Sequence, residues 1–129
     1  MMKTRTTFLA MTAAIGLALS LMGAASAHGA ADPQHGGIVA TANDLSFELV
    51  ATAEGVTIHV LDHDEPYPTA GITGKLTVLT GSEKAEADIT SAGENRLQAT
   101  GIQVTHDAKS IATLTLADQK TITVRFTGH

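Results

Sequence analysis

The sequence predicts an all-β domain, an immunoglobulin-like β-sandwich of seven or eight short strands. Three observations carry this: apolar residues alternate with polar ones in short runs, Thr, Val and Ile are frequent in those runs, and turn residues break them at short intervals. Alternation at period two marks a strand with one face buried, and β-branched side chains fit a pleated surface. About seven such strands in roughly 100 residues is the pattern of an immunoglobulin-like sandwich. A small barrel is the alternative.

In chain order, Leu45, Phe47 and Leu49 alternate with Ser46, Glu48 and Val50, and Val56, Ile58 and Val60 with Thr57, His59 and Leu61. Leu76 and Val78 sit between Lys75, Thr77 and Leu79, and Leu97 and Ala99 alternate with Gln98 and Thr100. Ala112, Leu114 and Leu116 then alternate with Thr113 and Thr115, and Ile122, Val124 and Phe126 with Thr121, Thr123, Arg125 and Thr127. Asn43-Asp44, Glu54-Gly55, Gly71, Gly74, Gly81-Ser82, Ala92-Gly93-Glu94, Gly101 and Asp118-Gln119 punctuate these runs. Leu114 to Phe126 reads as a closing hairpin around Asp118-Gln119. No apolar stripe recurs at the helical period. The longest irregular pieces are 28–37 and 62–74.

The first 27 residues read as an address. Lys3 and Arg5 precede an uncharged apolar run, and Ala25-Ser26-Ala27 follows it. A basic start, an apolar middle and a small-residue A-x-A site describe a cleaved signal peptide. An uncleaved anchor is the alternative, since the uncharged run is long enough to span a bilayer. Cleavage after Ala27 leaves a domain over residues 28–129, periplasmic or secreted and with no membrane attachment. It removes Lys3, Arg5 and all four Met, keeps all 13 acids and all six His, and moves the formal charge from −5 to −7.

Composition excludes several classes of function. The chain has no Cys, so it carries no disulfide, thiolate metal site or cysteine nucleophile. An acidic balance argues against nucleic-acid binding, which needs clustered Lys and Arg. There is no GxSxG elbow, no phosphate-binding GxxxxGK[ST] loop and no HExxH pair, and the serines have no visible base partner. The expectation is a protein that is not an enzyme. Without Met or Cys after cleavage, any metal site must use imidazole, carboxylate or main-chain groups.

Four residues stand out as candidate ligands. Cleavage makes His28 the first residue, and its α-amine and Nδ1 form a bidentate chelate suited to Cu(II) or Ni(II). His35 follows seven residues later in a segment with Pro33, Gly36 and Gly37 that can fold back. Asp62 and His63, within Asp62-His63-Asp64-Glu65 before Pro66, Tyr67 and Pro68, put carboxylate and imidazole at a strand end. That pairing suits zinc, copper or nickel. The blander readings are a frayed tail and a solvated acidic turn. His59 reads as a surface strand residue, about 13 Å from His63 if the strand stays extended. His106-Asp107 reads as a structural turn, and Tyr67 as packing on the sandwich edge.

Several short motifs carry a family resemblance. His35-Gly36-Gly37, Phe47-Glu48-Leu49-Val50, Asp62-His63 with Pro66 and Pro68, Gly74-Lys75-Leu76-Thr77-Val78, Ala112 to Leu116 and Val124-Arg125-Phe126 resemble small secreted bacterial proteins of heavy-metal resistance regions. The opening HGG followed by a FELV strand is similar to the extra metal-associated domain of periplasmic adaptor subunits in heavy-metal efflux systems. This likeness spans most of residues 34–127. A second likeness is to periplasmic copper-resistance β-sandwich proteins, whose mature chains start with His and use a later Asp-x-His for Cu(II). His28 matches the first element, whereas Asp62-His63-Asp64 departs from the second.

The resemblances imply periplasmic metal handling. The expectation is a binder of a divalent transition metal, Cu(II) favoured with zinc or nickel as alternatives, which buffers the ion or delivers it to an efflux adaptor. The competing expectation is a non-catalytic immunoglobulin-like interaction module of the cell envelope with incidental histidines.

Overall fold

The computed structural model describes residues 32–127. The expected leader, residues 1–27, and the candidate ligand His28 lie outside the described residues, as does His129.

The described chain is all-β, with nine strands: β1 (Ile38–Ala42), β2 (Leu45–Ala51), β3 (Gly55–Asp62), β4 (Glu65–Pro66), β5 (Thr73–Thr80), β6 (Glu83–Gly93), β7 (Arg96–Thr100), β8 (Lys109–Thr115) and β9 (Thr121–Thr127). They form one path in the order β1-β2-β3-β7-β6-β5-β8-β9, with the two-residue β4 pairing the end of β3. Every pairing is antiparallel. The ends of the path, β1 and β9, come to lie beside each other, so the sheet is a nearly closed barrel.

Strand β6 joins the two halves of that barrel. Residues from Glu83 to Ile89 pair with β5, and Thr90 to Gly93 pair with β7 across an irregularity at Ser91/Gly93. A bulge of this kind bends a strand and sharpens its twist, which lets one strand serve both faces. The hairpin expected from Leu114 to Phe126 is present as β8–β9.

The alternation assigns the faces as expected. Phe47, Ile58, Val60, Leu76, Ile89, Leu97, Leu114, Val124 and Phe126 fill the interior. Each large apolar side chain so buried contributes about 1.5–3 kcal/mol, and this interior is what holds a domain without disulfides. Two turns set register at one end. Asn43 and Asp44 (φ 54° and 64°) link β1 to β2, and His63 and Asp64 (φ 50° and 71°) link β3 to β4. Positive φ at both central residues is the hairpin turn whose twist matches the strands.

Candidate functional site

One residue on the outside of the barrel breaks the polar-out rule. Glu48 has the outward parity of Ser46 and Val50 on β2, yet it is only 6 % exposed. The segment just before β1 lies over it as a strap. Backbone N–H groups of Gln34, His35 and Gly37 donate to its carboxylate at 2.9, 2.8 and 2.8 Å. Gly37 permits the approach, because a Cβ there would stand 2.3 Å from the Leu49 carbonyl oxygen. Gly36 makes the preceding turn at φ +73°. Burial pushes the Glu48 carboxyl up, but the three backbone donors and the His35 ring outweigh it and bring its pKa down from 4.5 to about 2.

Two imidazoles meet beside this carboxylate. His35 Nδ1 lies 3.2 Å from Glu48 Oε1. An ionised carboxylate only accepts hydrogen bonds, so Nδ1 carries a proton, and in the neutral ring Nε2 is the nitrogen that keeps its lone pair. The His35 side chain is 49 % exposed. Its ring stacks on that of His59, with centroids 3.8 Å apart and planes within 5°. His59 stands opposite Glu48 on β2 and opposite Arg96 on β7. Burial first, then His35, lowers the pKa of His59 from 6.5, with Arg96 adding to the effect and Glu48 opposing it. His59 is therefore neutral at physiological pH. A cavity of about 50 Å³ opens against this cluster.

The acidic corner lies elsewhere. His63 Nδ1 lies 2.6 Å from Asp62 Oδ1, a second imidazole oriented by a carboxylate. The two side chains border a cleft shared with Asp44, Tyr67, Asp118 and Lys120. That cleft and the cavity at His35 have no lining residue in common. Parity explains the separation. His59 and Leu61 face outward and line the cavity under the strap, whereas Asp62 has the inward parity of Ile58 and Val60 and emerges at the barrel mouth. Of the expected ligands, the structure thus places His35 on the outer wall and Asp62 with His63 at the end.

Two residues of the cluster were not among the candidates read from the sequence. His59 is the stacking partner of His35 rather than a solvated strand residue. Glu48 was visible only as a polar position. Their shared outward parity on successive strands, with His-Gly-Gly a few residues before β1, was the available signal. His106 is exposed in its turn as expected and borders a cleft against Gly36 and Gly37 on the other side of the strap. Among the described residues, no three His, Asp or Glu side chains are already gathered around one ion-sized point.

Comparison with protein-family models, with curated proteins and with solved structures finds no match to this chain.

Proposed function

We propose that this chain is a small periplasmic or secreted protein that binds a divalent transition metal, Cu(II) favoured and zinc or nickel next, and buffers it or delivers it to an efflux adaptor. One observation carries the reading. The buried Glu48 carboxylate accepts from His35 Nδ1 and leaves Nε2 of a half-exposed imidazole free. Metal-binding histidines characteristically donate their other ring N–H to a carboxylate, which fixes tautomer and orientation. His35 is then the anchoring ligand, with His28 as its companion from the processed amino end. The Asp62–His63 pair repeats the carboxylate-imidazole arrangement and serves as a separate, weaker contact. The likeness of His35-Gly36-Gly37 and Phe47-Glu48-Leu49-Val50 to the metal-associated domain of efflux adaptors supports the same reading. We take the fold as a flattened immunoglobulin-like sandwich whose two faces share β6.

A second reading has an observation of its own. The three backbone hydrogen bonds to Glu48 account for its burial and for both glycines with no metal involved. On that reading the strap is a structural seal and the protein an interaction module of the envelope. Thermal unfolding of the chelator-treated protein separates the two. Binding to the native state alone raises the midpoint, by about 2.7 kcal/mol of stability at a hundredfold excess over Kd. A rise with Cu(II), Zn(II) or Ni(II) supports the metal reading, and no shift with any of them supports the module.

A further inference from the structure

We infer that the cavity between the strap and the outer face of β2 and β3 is the metal site itself, with His59 and Asp32 joining His35 as its ligands. The inference rests on the metal reading above and assigns the donors.

The cavity is about 50 Å³ and is bordered by Asp32, Gln34, His35, Glu48, His59 and Asn95, among others. One water needs about 10–15 Å³ of such space, and organic ligands occupy pockets of about 300–1,000 Å³. This space therefore suits an ion with a few waters. Its donors are two imidazoles and the Asp32 carboxylate, the mixed nitrogen and oxygen set that borderline divalent cations take. Glu48 already receives three backbone N–H groups and the His35 ring, so it acts as a positioning residue behind His35.

The stack sets how the site forms. Imidazole lone pairs lie in the ring plane, so two parallel rings 3.8 Å apart do not aim at a common ion. One ring has to turn. His35 is half-exposed on the strap, whereas His59 stands on a central strand, so His35 is the ring that moves, pivoting about its Nδ1 bond to Glu48. Metal binding thus replaces the stack. The acidic corner is excluded from this site because Asp62 leaves the barrel on the opposite parity.

The test uses the full chain as isolated from the producing cell, titrated calorimetrically with Zn(II), Cu(II) and Ni(II) at about pH 7.5, where free imidazoles are mostly neutral. Losing a ligand weakens binding at least as much as losing a supporting partner, about tenfold or more. That loss is expected for His59→Gln, a smaller one for Asp32→Asn, and affinity within about twofold of the parent for His106→Gln, which borders a different cleft. In the unaltered chain, Zn(II) should shift the imidazole nitrogen resonances of both His35 and His59, a readout that does not depend on any variant folding. If His35→Gln abolishes binding while His59→Gln binds like the parent and its resonances stay put, the assignment of His59 falls and the metal reading stands. Loss with His63→Gln alone moves the site to the corner and also overturns the inference. No binding of any of the three metals by the parent overturns both.

Discussion

Glu48 receives the backbone N–H of Gly37 at 2.8 Å across the outer face of the sheet, and that contact ties the segment before β1 to the second strand. It is one of three such bonds, and the same carboxylate orients His35. Stability and the proposed metal chemistry therefore share one residue. Glu48→Gln keeps the shape but removes the charge and turns an N–H group toward the strap's own donors. Hydrogen bonds to charged groups contribute about 1.5–3 kcal/mol each and a buried donor left unpaired costs about 1–3. A loss of about 3 kcal/mol in urea-monitored stability is expected, with metal affinity down about 10–100-fold because His35 loses its orienting partner. Unchanged stability would remove the strap contact from the account of the fold.

The acid limb of stability follows from the same carboxyl. Its folded pKa of about 2 lies below its ordinary 4.5, so the stabilisation is complete above 4.5 and is lost as pH falls toward 2. A depression of that size corresponds to roughly 3 kcal/mol. His59 adds an earlier step. Its folded pKa is lowered from 6.5, so below that pH the unfolded chain takes up a proton that the folded chain resists, and stability declines as pH drops through 6.5. Chemical denaturation at a series of pH values should show two declines. Glu48→Gln should abolish the lower one, and His59→Gln should abolish the upper one.

Much of the fold was legible because burial follows parity. Phe47, Ile58, Leu114 and Val124 all point inward as the alternation requires. Strand β6 was hidden because Ala85 and Ala87, which share the parity of Ile89, offer little apolar contrast to Glu83, Lys84, Glu86 and Asp88; Ala85 is itself exposed, and only Ile89 marks the core. The joining of all the strands in one nearly closed path depends on which strands pair, which periodicity does not encode. At the site, His35 was legible from its neighbours in the chain. Its contacts with Glu48 and His59 join residues 13 and 24 positions away, and only the β1-β2-β3 register brings them together.

Gly37 should tolerate no side chain. An added Cβ meets the Leu49 carbonyl oxygen at 2.3 Å and the Val50 side chain at 2.9 Å, and a backbone oxygen in a ladder has little room to yield. Gly37→Ala should therefore lift the strap, at a cost of about 1–3 kcal/mol typical of overpacking. Gly36→Ala meets nothing within 4 Å and suffers only from its φ of +73°, a penalty of about 1 kcal/mol. Amide exchange at His35 and Gly37 checks this: protection should fall further in Gly37→Ala than in Gly36→Ala. The reverse order would mean that turn conformation, and not close approach, holds the strap.

Thr69 provides a test of the barrel away from the site. It is fully buried in the irregular segment after β4, and its hydroxyl lies 2.8 Å from Ser91 Oγ and 2.9 and 3.1 Å from the carbonyl oxygens of Arg96 and Glu94. Its backbone N–H also donates to the Glu94 carbonyl. One side chain thus fastens the loop to the β6–β7 turn, next to the bulge where β6 changes partners. Thr69→Val keeps the volume but removes the hydroxyl from these part-buried acceptors, which costs about 0.5–1.5 kcal/mol for each hydrogen bond lost. Thr69→Ser keeps the hydroxyl and loses only a methyl, about 1 kcal/mol. Because Thr69 touches neither His35 nor His59, metal affinity should be unchanged in both variants while the unfolding midpoint drops more for Val. Equal destabilisation by the two would show that the methyl group, and not the hydrogen-bonded hydroxyl, is what the loop depends on.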